Sequence, residues 1–232
     1  SDVWSGPAAW LRAGIYFCFC LLVSMATGAL QAALQNPLVE QAQLSNPWWW
    51  AFTLLISVFI LAAYWGYWYR STLRFNRPLA LIPQGVFGLC WGVTTGLYFL
   101  SFWHLVAAIG PEWPLWGTWL LAYGLISAWQ ALWMDMYWDV WVSPEHDTPE
   151  SIKAKVPRTH IPNMTLCLTH FALFENYWIF IGWQTTALLA ASYGMRLQPP
   201  WSNEPTPPAR QVPGLFGLPR AGGYVATDTK EG

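Results

Sequence analysis

The chain has 232 residues, of which 55% are hydrophobic and only 10% charged, with 19 Trp and a net charge of -1. So few charges leave a soluble globule short of surface-solubilising groups, and a near-neutral chain has no field to hold nucleic acid. The expected fold is therefore all-α: a polytopic membrane protein of about five transmembrane helices over residues 1-197, followed by an extended C-terminal tail over 198-232.

In chain order, residues 1-12, with Trp4, Pro7 and Trp10, suit a segment lying at the membrane interface. A hydrophobic stretch of about 20 residues crosses the hydrocarbon core. Five such stretches are predicted, at Ala13 to Leu34, Trp48 to Tyr69, Leu79 to Leu105, Leu115 to Trp138 and Met164 to Tyr193. Trp48-Trp49-Trp50 at the entrance of the second span, and Tyr64 to Tyr69 at its exit, read as interfacial belts. The loop from Ser143 to Pro162 carries four prolines among mixed charges and has room for one short helix capped by Thr148. From Gln198 onward, repeated Pro and Gly indicate an extended tail that would be ordered only against a partner.

Arg12 precedes the first span, Arg70, Arg74 and Arg77 follow the second, and Lys153, Lys155 and Arg158 lie between the fourth and fifth. Segments 35-47 and 106-114 contain no Lys or Arg. With five spans, the positive-inside rule places the N-terminus inside and the C-terminus outside. Cys18, Cys20, Cys90 and Cys167 all lie in predicted spans without a paired spacing, which argues against structural disulfides and a structural cysteine-zinc site.

Ionisable groups inside a bilayer are costly and tend to face a bundle interior, so each is a functional candidate. Asp135 and Asp139 are four apart and share a helix face. Asn163, Cys167 and His170 form one stripe on the fifth span, which the antiparallel arrangement would bring to the depth of the Asp pair, with His160 and His146 within reach from the preceding loop. Imidazole and carboxylate together suit copper, iron or zinc, so Asp135, Asp139, His160 and His170 are candidate metal ligands. The alternative is a hydrogen-bonded cluster that holds helices together. Glu175 is expected deep in the fifth span, facing away from His170, and His104 near the outer end of the third span is expected to hydrogen-bond. No phosphate-cradling glycine loop or nucleophile elbow is present.

Some segments resemble the membrane subunits of the copper-dependent membrane monooxygenases, the group of particulate methane and ammonia monooxygenases. Trp65-Gly66-Tyr67-Trp68-Tyr69-Arg70, followed by Arg77-Pro78-Leu79-Ala80, is similar to the aromatic-then-basic span exits of that family. Tyr98 to Trp103 resembles an aromatic turn there, and Thr148 to Lys153, followed by a last span reaching Phe180 to Trp183, is similar in order to the end of the A-type subunit. The C-type copper pattern of Asp, His and His is absent: around His104 the other two positions are Leu100 and Gly117.

The resemblance implies a membrane subunit of an oligomeric metal-dependent monooxygenase, with copper or iron as cofactor and a small apolar substrate arriving through lipid. A non-catalytic scaffold or assembly subunit of a respiratory or photosynthetic complex fits the same composition. A stand-alone enzyme using Asp135 and Asp139 as acid and base is a third reading. The first two imply other membrane subunits as partners, in an oligomer.

Overall fold

A computed structural model describes residues 3-72, 77-137 and 154-205. Among them the chain is almost entirely helical: α1 (Gly6–Ala26), α2 (Ala29–Gln35), α3 (Gln41–Leu44), α4 (Pro47–Ser71), α5 (Leu81–Ile109), α6 (Leu115–Tyr137), α7 (Ile161–Phe174) and α8 (Tyr177–Gly194). Strands β1 (Val3–Ser5) and β2 (Asn203–Pro205) form a two-stranded antiparallel ribbon. Three helices, α1, α4 and α5, are long and apolar enough to cross a membrane. Their large residues include many turned outward, such as Leu11, Leu22, Leu54, Leu55 and Ile82, as lipid-facing helices require.

The local sequence explains where the helices begin and end. Asn46 caps α4 by accepting from the amides of Trp48 and Trp49, ahead of Pro47 in the first turn. Helix α1 begins at Gly6, with Pro7 in its first turn, so the lead expected at the interface is helical from Gly6. The first span also ends earlier than predicted, because Gly28 takes a left-handed conformation (φ 79°) that separates α1 from α2.

The largest departure is in the fifth predicted span. It is not one helix but a hairpin, since Glu175 turns left-handed (φ 49°) and the Asn176 side chain caps α8 by accepting from the Ile179 amide at 2.9 Å. Glu175 is exposed at the hairpin tip rather than deep in a span. An apolar count cannot see this break, because only two residues interrupt the run.

Pairings fix the helix directions. Trp10 packs on Phe87 and Phe19 on Tyr98, so α1 and α5 run parallel. Gly92 faces Thr185 and His104 meets Tyr177, so α8 is antiparallel to α5. Thr53 pairs with His170 and Tyr64 with Asn163, so α7 is antiparallel to α4. The β ribbon and the bond from the Gly6 amide to the Ser202 carbonyl (2.8 Å) bring residues 3-6 and 202-205 to one end of the bundle. With the added helix of the hairpin, both ends of the described helical region thus lie at the same end of the bundle. The opening of the tail, from Gln198 to Pro205, lies against its own bundle, while residues 206-232 lie outside the described residues.

The core is tightest between α5 and α8. Gly88, Gly92 and Gly96, four residues apart, place one bare stripe of α5 against α8. A Cβ on Gly92 would lie 2.3 Å from the Thr185 Cα, and on Gly88 or Gly96 about 3 Å from the Cα of Leu189 or Ile181. Backbone contact as close as that at Gly92 is possible only with glycine.

Candidate functional site: a polar seam between α4, α7 and α8

The inward face of α4 carries Trp49, Thr53, Ile56, Ile60, Tyr64 and Trp68. From Leu61 to Trp68 that helix widens into a π-helix, and facing it Val156–His160, which leads into α7, is π-helical too. Pro157 and Pro162 lack the amide hydrogens an α-helical ladder needs there. Such widened turns are frequent at functional sites because they re-aim individual side chains. Here they turn Tyr64 and His160 toward each other, with the hydroxyl 3.2 Å from Nδ1.

A lower cluster forms around this pair. The Asn163 amide donates to the Tyr64 hydroxyl at 3.0 Å and lies 3.4 Å from Gln184 Oε1, while the Cys167 thiol donates to Asn163 Oδ1 at 3.1 Å. Beneath it, Lys155 Nζ donates to Thr72 Oγ1 at 2.9 Å and sits 4.4 Å above the Trp68 ring centre. Nearer the hairpin tip, Thr53 Oγ1 lies 2.9 Å from His170 Nε2 and the Trp183 indole donates to Ser57 Oγ at 3.0 Å. Trp49, Phe174 and Trp183 surround the His170 ring, with centres 6.5, 4.9 and 4.8 Å away. Asn163, His170 and Gln184 are each at least 97% buried, and the predicted stripe of Asn163, Cys167 and His170 does face the interior.

Of the predicted metal ligands, His160 and His170 do not converge. His160 answers Tyr64 and His170 answers Thr53, and ten residues of helix separate them by about 15 Å. The bond between Thr165 and Tyr123 sets the register of α6 on α7. Asp135 in α6 is twelve residues below Tyr123 and His170 five residues above Thr165, an axial separation of about 25 Å. Asp135 and His170 are thus at different depths, contrary to the expectation from sequence. Asp139 and His146 fall outside the described residues. Among the described residues no three His, Cys, Asp or Glu side chains are grouped to hold a metal. All four cysteines are free, and His104 bonds the Tyr177 hydroxyl at 2.9 Å, as expected.

Sequence reasoning missed Thr53, Tyr64 and Gln184. Tyr64 and Trp68 were assigned to the interfacial belt, yet both are buried, while Trp48 and Trp50 do face outward. The available signal was spacing: Thr53, Ser57 and Tyr64 recur at helical intervals on an otherwise apolar helix. No family model matches the chain, and no curated protein and no solved structure is similar to it. The geometry therefore stands by itself. Neutral hydroxyl, amide, thiol and imidazole groups answering one another hold helices together in a low-dielectric interior.

Proposed function

We propose that the chain is a non-catalytic, membrane-embedded subunit of a multi-chain membrane complex, with a rigid helical body that serves as a scaffold. The observation carrying this reading is that buried polar side chains of α4, α7 and α8 bond one another at 2.9 to 3.4 Å, while Trp49 Nε1, His170 Nδ1 and Gln184 Nε2 have no partner among the described residues. The copper- or iron-dependent oxygenase reading would need His160 and His170 to act together, and each of them instead bonds a hydroxyl at a different level of the seam.

In this proposal all six long legs, α1, α4, α5, α6 and the two arms of the hairpin, cross the membrane. Arg12, Arg70, Arg77, Lys155, Arg158 and Arg196 lie toward one end, whereas residues 27-46, 110-114 and 175-176 at the other contain no Lys or Arg. By the positive-inside rule the basic end faces the inside, together with residues 3-5 and 203-205.

Isolation of the native complex in mild detergent tests the reading. Partner chains should co-purify in fixed ratio, without stoichiometric copper or iron bound through this chain. Metal that is retained in the native complex and lost in both Asp135→Asn and His170→Ala would overturn it.

A further inference from the structure

The segment that leaves α8 crosses the foot of the bundle under unusual restraint. Its backbone is fastened on both sides. Gln84 on α5 donates to the Leu197 carbonyl at 3.1 Å, the Trp10 indole on α1 donates to the Gln198 carbonyl at 2.7 Å, and the Gly6 amide donates to the Ser202 carbonyl. Gly6 itself is packed so closely on this segment that a Cβ would strike the carbonyl oxygens of Ser202 and Pro199.

The side-chain heads on this fastened backbone are the opposite case. Gln198 is only 5% exposed, yet neither its Nε2 nor its Oε1 has a hydrogen-bond partner among the described residues. Two residues earlier, one guanidinium nitrogen of Arg196, Nη1, is also buried without one. Arg196 is held in a left-handed conformation (φ 54°), which an arginine adopts only when its surroundings impose it. A buried amide or guanidinium without a partner carries its full desolvation cost. A segment fastened in this way, with three such atoms on two residues separated only by Leu197, is arranged for something that supplies them.

The chemistry of those atoms selects the ligand. A guanidinium and an amide N–H both donate, and a phosphodiester offers paired anionic oxygens to accept from them. The remaining amide oxygen takes a hydroxyl donor. Among the residues whose side chains are described, the exposed carboxylates Glu40, Glu112 and Glu175 lie at the far end of the bundle. Trp201, 73% exposed on the same segment, marks the depth of an interfacial aromatic anchor. We infer that Arg196 and Gln198 form a binding site for the phosphate of an anionic phospholipid headgroup. This inference does not depend on whether the protein is a scaffold or an enzyme.

The test uses the purified full chain in neutral detergent, with thermal unfolding followed by tryptophan fluorescence. Dioleoylphosphatidylglycerol, dioleoylphosphatidylcholine and inorganic phosphate are titrated separately. Phosphatidylglycerol should raise the midpoint saturably, and phosphatidylcholine should not. Arg196→Gln and Gln198→Leu should each weaken the lipid's apparent affinity about tenfold or more, the equivalent of one charge-assisted hydrogen bond. Arg70→Gln, which removes an exposed charge at the same end, should leave it within about twofold, because exposed charges are screened. Equal weakening in Arg70→Gln, or undiminished binding in both Arg196→Gln and Gln198→Leu, would overturn the site. An equal shift from inorganic phosphate at the same concentration would overturn the lipid assignment.

Discussion

Gly92→Ala adds one methyl group where α5 and α8 are closest. Its Cβ would stand 2.3 Å from the Thr185 Cα and 2.9 Å from the Thr185 Cβ, and ordinary contact begins at 3.4 Å. The helices must therefore part by about 1 Å at this level, since the obstacle is backbone and cannot rotate away. Overpacking of a well-packed core costs about 1 to 3 kcal/mol, and a backbone obstacle places this case at the upper end. Gly96→Ala meets Ile181 Cα at 3.1 Å and needs only a few tenths of an ångström, so about 1 kcal/mol or less is expected. Gly182→Ala meets nothing within 4 Å and should gain about 0.5 to 1 kcal/mol from helix propensity alone. Reversible unfolding in mixed micelles, read by circular dichroism, measures the series. The expected order of stability is Gly182→Ala, native, Gly96→Ala, Gly92→Ala. If Gly92→Ala is as stable as Gly182→Ala, the close α5–α8 contact is wrong.

Three further outcomes follow from the same geometry. Single cysteines placed at Ser71 and Ser202 on a cysteine-free background should react with an impermeant label from one side and a cysteine at Glu112 from the other; labelling of Ser71 and Ser202 from opposite sides would remove the six-leg topology. Tyr64→Phe should cost about 1 to 2 kcal/mol, because the buried Asn163 amide and His160 both lose the hydroxyl, and unchanged unfolding would show that the seam does not hold the helices. Gly6→Ala should free the segment after α8, seen as faster hydrogen exchange at the Gly6 amide and early proteolysis near Trp201 with little change in the global midpoint. Protection equal to the native protein at both positions would refute the clamp.

Hydropathy made the helical fold and most helix limits legible. Trp48 to Tyr69 lies within α4 and Leu79 to Leu105 overlaps α5 from Leu81 onward, because long apolar runs with a capping Asn or an early Pro leave few alternatives. The hairpin was hidden because Glu175 and Asn176 look like polar residues inside a span, and only their backbone conformations show a reversal. That one missed turn changed the number of helices and so the end of the bundle at which residues 203-205 lie. At the seam, the stripe of Asn163, Cys167 and His170 was readable from helical spacing on a single element. Its partners Thr53, Tyr64 and Gln184 come from helices far apart in sequence, and their register depends on packing that no local pattern encodes. The depth assigned to Asp135 failed for the same reason.

The glycine stripe and the polar seam are two faces of one helix. Residues Ile181, Thr185 and Leu189 of α8 meet the glycines of α5, while Trp183 and Gln184 turn toward α4 and α7. A displacement of α8 by about 1 Å at Thr185 must move the adjacent Gln184, whose Oε1 is already 3.4 Å from the Asn163 amide, near the outer limit for a hydrogen bond. In a Gly92→Ala background that contact is lost before Gln184 is touched. Gln184→Leu should therefore cost less there than in the native chain, a sub-additive pair with a coupling of about 0.5 kcal/mol or more. Tyr64→Phe acts on bonds between α4 and the stretch from His160 to Asn163, which the displacement of α8 leaves in place. Its cost should add to that of Gly92→Ala within about 0.5 kcal/mol. Double-mutant cycles from the same unfolding measurements separate the two cases, and equal coupling in both pairs would mean that α8 does not carry the strain from stripe to seam.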